Sequence, residues 1–302
     1  MSPRRRGGYT LAELLVAAVI GGLVSTAAVA TAARVRGASG REAERAVARA
    51  QLAQAVGVVG AELAGAAASN VAEGGDLAEL SDTAVDVRAV VGGAVVCAPP
   101  VGGVPGSTVS LAAGDVAVGW WAAAPQAGDV ALVHDPGVAA GAEDDAWTAR
   151  AVRGVSGAAS ACAGGPFAGA AVAGGAVPWR LTLDGPPLPA TVGVGAPVRV
   201  LRRRRYTLYR GGDGLWALGL REWDAGAWTG VQPLAGPFDA PVAGGMRVVV
   251  RDSVGAERAP ALPLPAGAEL EVRFAASRRW GRQAWRDSAR AIVRLRGDGG
   301  LP

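Results

Sequence analysis

The sequence has no lysine, one histidine and two cysteines in 302 residues, with three tyrosines and three phenylalanines. Each scarcity excludes something. Hydrolytic and metal chemistry at neutral pH draws on several histidines, cysteines or clustered carboxylates. Here His134 stands alone before Asp135-Pro136, where a strand end enters a turn. No HExxH, no Ser-His-Asp spacing and no Walker-type glycine loop occurs. Nothing therefore marks an enzyme, and no cofactor is expected. Two cysteines are too few to ligate a structural metal. Charge is scarce as well, at 19% against 50% apolar, which is the reverse of a disordered chain. All 30 basic residues are arginines, which with the heavy alanine and glycine usage points to codon bias. Against 26 acids they leave a net charge of +4, too small at this length to suggest a genome-scale nucleic-acid binder.

What the chain does have is an apolar excess concentrated at its start. Arg4, Arg5 and Arg6 precede Gly7-Gly8, and from Leu14 to Ala33 no charge occurs. Those 20 residues would span about 30 Å as a helix, the thickness of a bilayer's hydrocarbon core. The arginine triplet on the short leading side places residues 1–8 in the cytoplasm and everything after Arg34 on the far side. Two other readings compete: a secretory signal cut near Ala30-Thr31-Ala32, and a twin-arginine signal using Arg5-Arg6. Glu13, a carboxylate at the mouth of the apolar run, argues against both. An acid inside a membrane costs a few kcal/mol without a partner, so it is by default functional.

The run Gly8-Tyr9-Thr10-Leu11-Ala12-Glu13-Leu14-Leu15-Val16-Ala17 closely resembles the processing site of type IV pilins and type II secretion pseudopilins. The resemblance implies that a prepilin peptidase cuts after Gly8 and methylates the new terminal amine on Tyr9. Tyr9 stands where the family usually has phenylalanine. Where many members carry a proline further along, this chain has Ala30, and Gly21-Gly22 supply local softness instead. Glu13 becomes the fifth mature residue, and its role is to meet the amine of a neighbouring subunit, since each group buried alone is costly and the two neutralise one another.

The expected fold class is α+β: a long N-terminal helix, half transmembrane and half amphipathic, packed on a large antiparallel β-rich domain. Residues 1–8 form the leader, 9–33 the membrane helix, 34–68 its amphipathic continuation and 69–302 the β-rich extracytoplasmic domain. Leu52, Val56, Val59 and Leu63 follow helical spacing on one apolar face. Arg41, Arg45 and Arg49 form a solvated basic row beside it, and Gly37 to Gly40 is the place for a kink. Beyond Thr83 short alternating segments dominate, with strand candidates at 83–91, 94–97, 107–111, 115–122, 129–134, 147–153, 179–183, 198–210, 215–222, 228–234, 246–251, 270–275 and 289–296. No fixed-period repeat suggests a propeller or solenoid. Arg204 to Arg210 followed by Gly214 to Gly219, then Val231 to Gly236 and the closing Asp287 to Arg296, resemble the hairpin and later strands of the PilW/GspJ-like minor pseudopilins.

Cys97 and Cys162 form an even pair in a chain expected to be exported, which suggests a disulfide closing a loop of about 66 residues, worth roughly 4 kcal/mol. Arg202 to Arg205 is the densest charge run. Only two of the four share a strand face, and a solvated edge strand fits it better than a nucleic-acid site. Glu143-Asp144-Asp145 reads as an acidic turn, short of a full calcium loop. The nine tryptophans are expected to pack in the core and between sheets. The functional expectation is a minor pilin or pseudopilin of the bacterial inner membrane that primes or caps a filament, its domain in the periplasm or at a filament tip. Its partners are the prepilin peptidase, other subunits and the membrane. The alternatives are a tip adhesin or DNA-uptake subunit using the arginine strand, and a signal-anchored periplasmic enzyme.

Overall fold

The computed structural model describes residues 10–65, 76–103, 106–112, 119–139, 141, 143–157, 160, 162, 166–167, 178–262, 264, 267–280 and 283–294. Helix α1, Leu11–Gly65, is continuous over 55 residues. It holds no proline, and alanine, the best helix former, dominates it. The helix is unbroken through Gly37 and Gly40. Each glycine there costs only about 1 kcal/mol, and the long helical runs on both sides outweigh that.

The strands are β1 Leu77–Ser81, β2 Ala84–Gly103, β3 Gly106–Leu111, β4 Gly119–Trp121, β5 Val130–Asp135, β6 Ala146–Gly157, β7 Trp179–Leu183 and β8 Pro197–Arg210, then β9 Trp216–Asp224, β10 Ala227–Trp228, β11 Gln232–Phe238, β12 Met246–Arg251, β13 Glu257–Arg258, β14 Glu269–Trp280 and β15 Gln283–Arg294. All pairings are antiparallel. Two expected strands, 83–91 and 94–97, are one: β2 runs through Gly92-Gly93 because those glycines seat β4. A Cβ on Gly92 would collide with the Trp121 ring. Strand β1 was not expected, and β15 begins before residue 289.

The larger sheet closes on itself. Strands β2, β3, β7, β6, β5 and β8 pair in that order, and β8 pairs back onto β2, giving a ring. Its interior is filled by Val91, Val96, Val109, Leu111, Val133, Leu181, Leu183 and Val200. Beyond the ring, the early part of β2 and the late part of β8 run on to pair with β1 and β9. There they meet a second sheet, ordered β13-β12-β14-β15, and the helix. A second core forms between them from Leu52, Ala55, Val59 and Leu63 of α1, Val85 and Val87 of β2, Tyr206 and Leu208 of β8, and Met246, Leu270, Val272 and Phe274. The buried helical stripe passes through Ala55, with Val56 half-buried beside it.

The tryptophans border the cores without filling them: Trp216 packs against one, and Trp121 and Trp179 against the other. Among the described side chains none is fully buried, and Trp120 is 48% exposed. Valine and leucine fill the interior, while the indoles lie over strands and against guanidinium groups. Arg205 stacks 4.7 Å from the Trp228 ring, and Arg199 lies 5.2 Å from the Trp147 ring.

Candidate functional site

From Leu11 to Arg36 every residue of α1 is exposed, including Leu14, Ile20 and Leu23. Among the described residues it is one helix long and apolar enough to cross a membrane. The second half is built into the domain. Ala48, Leu52, Ala55, Val59 and Leu63 are buried, and α1 packs on β11, β14 and β15. One helix therefore has two solvents. The composition changes where the burial does, since the uncharged run ends at Ala33 and Arg34 and Arg36 follow.

Glu13 lies in the first turn of α1. The Thr10 backbone N–H donates to Glu13 Oε2 at 2.9 Å and the Thr10 hydroxyl donates to the same oxygen at 3.1 Å. The Glu13 N–H donates to Thr10 Oγ1 at 3.3 Å. This reciprocal pair is a capping box, and its Thr-x-x-Glu signature is legible in the sequence. A carboxylate accepts about four hydrogen bonds, so among the described residues two acceptor positions on Glu13 stay open after the cap is made. Arg4, Arg5, Arg6, Gly8 and Tyr9 lie outside the described residues.

One of the four arginines of β8, Arg204, helps seat the helix on the sheet. The expected edge strand is not observed: β8 is interior, bonded to β2 on one side and to β5 and β9 on the other. Alternation sends Arg202 and Arg204 to one face and Arg203 and Arg205 to the other. Arg202 pairs with Asp129, whose side chain is fully buried, at 2.9 Å. Arg204 donates to Glu62 of α1 at 2.8 Å and to Glu222 of β9 at 2.9 Å. Burial works against the Arg204 charge, yet Glu62 and Glu222 more than offset it and its pKa lies above the usual value. Burial, with Glu62 beside it, also pushes the neighbouring Tyr206 phenol well above its ordinary value, so it stays protonated. Arg203 and Arg205 both reach Asp86 and Glu79. A positive run in sequence is thus a set of ion pairs in space. Gln51 and Gln54 add two more links to the seat, accepting from the Gly236 N–H and donating to the Leu234 carbonyl. Neither these glutamines nor Asp129 could be singled out from sequence, because their partners are distant in the chain.

The remaining candidates resolve locally. Cys97 and Cys162 are bonded, with Cα atoms 5.2 Å apart, and form a small core with Ala112. His134 at the end of β5 lies 3.4 Å from Asp145 and edge-on to Trp147. The Ala139 and Val138 backbone N–H groups donate to Asp144 and hold its carboxyl below the usual range. Among the described residues no cluster of three metal-ligating side chains occurs.

Residues 3–29 match the family model described as the prokaryotic N-terminal methylation motif. No curated protein matches the chain, and no solved structure does. The match lies on the leading residues and the bare half of α1, so the N-terminus is similar to that of type IV pilins and pseudopilins. With the apolar helix it fits a single-pass membrane anchor processed by a prepilin peptidase and assembled with other pilins.

Proposed function

We propose that the chain is a minor pilin or pseudopilin, a structural subunit that primes or caps a filament of a type IV pilus or a type II secretion system. The observation that carries this reading is one unbroken helix that is wholly bare over its first half and keyed into a β domain over its second. A bare apolar helix stable in a bilayer can exchange lipid for the helices of other subunits, where neither environment penalises the apolar surface. Its work is mechanical, not catalytic. The positive leader sets residues 1–8 in the cytoplasm and the β domain in the periplasm. Loss of the three leading arginines takes the formal charge from +4 to +1.

Within a filament, the amine at Tyr9 of one subunit meets the open acceptors of Glu13 on the next and sets their register. The pairing of the β8 arginines with carboxylates favours this structural role over the DNA-uptake reading, because few of those charges are free for phosphate. Mass spectrometry of the mature protein tests the class. A chain beginning at N-methylated Tyr9 is expected, and one beginning near Ala33 would sink it. Glu13→Ala is expected to be processed and to reach the membrane, but not to enter filaments; normal assembly of that variant refutes the register role.

A further inference from the structure

Three contacts fix how β15 lies along α1. The Trp285 ring sits 5.9 Å from the Arg45 guanidinium, Arg49 Nε donates to Asp287 at 2.8 Å, and a Cβ on Gly60 would stand 3.3 Å from that of Ala291. Residue numbers rise together, so strand and helix run the same way. The advances agree: from Arg45 to Gly60 is about 22 Å of helix, and from Trp285 to Ala291 about 20 Å of strand. The start of β15, and the end of β14 that pairs with it at Trp280↔Gln283, therefore form the end of the domain nearest the bare helix. Stepping back from Trp285 to Gln283 covers about 7 Å and reaches the level of helix residue 40. From there to Ala33 is about 11 Å of helix, and a headgroup layer occupies about 5–7 Å of it. Arg279, paired with Ala284, stands about 3 Å higher, so its side chain just spans what is left, and Arg278, paired with Trp285, stands about 7 Å higher and acts only through the field of the headgroups.

The residues at this level differ from those elsewhere in the domain. The Arg278 guanidinium meets only the carbonyls of Ser277 and Pro237, and Arg279 is exposed with no partner among the described residues. On the helix, Arg34 and Arg36 are exposed, and the Arg41 guanidinium lies 4.0 Å from where a Cβ on Gly37 would stand, directed toward the membrane end. Among the described residues none of these five cations forms an ion pair, unlike the arginines of β8. Of the nearby acids, Glu42 is held by Arg45, and Asp239 by Ser277 and Arg286, which leaves Glu44 alone. An excess of arginine beside the amphipathic Trp285 ring is the composition that settles at a bilayer's polar surface.

We propose that the paired end of β14 and start of β15, with Arg279 foremost, is a foot that docks on anionic phospholipid headgroups of the bilayer crossed by α1. The foot holds the domain upright against the membrane, with the helix and strand pair as two points of support. The proposal rests on the reading of residues 14–33 as a membrane span, and the test separates the two.

The full-length chain is placed in lipid nanodiscs with a fluorophore on Ala284→Cys and a quencher on the lipid headgroups. A second sample carries the fluorophore on Ala17→Cys, read with an acyl-chain quencher. The Ala284 label should be quenched in discs containing phosphatidylglycerol, and released in pure phosphatidylcholine or at high salt. Arg278→Ser with Arg279→Ser should lower the docked-to-undocked ratio by about fivefold or more, most of it from Arg279. The paired lysine variants should restore docking, which shows that charge is read. Equal quenching in both lipids, or docking that survives loss of both arginines, overturns the foot while the Ala17 label still reports the span. An unquenched Ala17 label overturns the span itself, and the foot with it.

Discussion

Glu271 shows how this chain spends its arginines. It sits on β14 with its side chain fully buried, on the sheet face opposite the core. Arg273 donates to it at 2.7 Å, Arg251 at 3.0 Å and Arg290 at 3.4 Å. The hydrogen bond from Arg273 leads, burial opposes it, and Arg251 adds to it, so the carboxyl is held down to about 2 from an ordinary 4.5. A carboxyl whose folded pKa is depressed stabilises the fold above its unfolded pKa and loses that contribution as pH falls through the folded one. Thermal melting of the detergent-solubilised chain should therefore fall between about pH 4.5 and pH 2. Glu271→Gln should lower stability at neutral pH by about 2 kcal/mol and flatten that acid limb. An unchanged acid limb in the variant shows that other carboxyls carry it. None of this was legible in sequence, where Glu271 is one acid in an alternating strand. Glu13 was legible, because an acid beside an uncharged run is conspicuous whatever the fold.

The elements were read best where periodicity is local. The helix and most strand centres follow from spacing within ten residues, while the joining of β8 and β9 in a hairpin came from the resemblance. What failed needed partners far along the chain. Arg202 to Arg205 read as an edge because nothing nearby shows β2 pairing with β8 across more than a hundred residues. Gly92-Gly93 read as a break because Trp121, which fills the space they leave, lies in another segment. The cysteines are an intermediate case, since their even number in a chain expected to be exported suggested the bond that is present. With a sequence separation of 65, it removes roughly 4 kcal/mol of loop-closure entropy from the unfolded chain. Replacing both cysteines by alanine should lower the denaturant midpoint accordingly, without altering the secondary structure seen by circular dichroism. A midpoint within error of the parent means that the bond is stabilising only its own small cluster with Ala112.

At the scale of the whole molecule, two cores share two strands. Val91 and Val96 of β2 face the ring while Val85 and Val87 face the helix, and in β8 Val200 and Tyr206 divide in the same way. The ring core draws on no residue of α1, whereas the second core takes a complete wall from it. Cutting the helix at different points should therefore have different results. A chain starting at residue 34 loses only the exposed apolar surface from Leu11 to Ala33 and keeps every buried helical position. It should be monomeric by size-exclusion chromatography in the absence of detergent and retain the strand signature of the full chain. A chain starting at residue 66 loses Leu52, Val59 and Leu63, three side chains worth about 5–9 kcal/mol together, comparable with the stability of a typical domain. It also leaves Arg204 without Glu62. That chain should aggregate or expose its second core to a hydrophobic dye. If instead it is as soluble and as cooperative in unfolding as the chain starting at 34, the helix is cargo on a self-sufficient domain and not one of its walls.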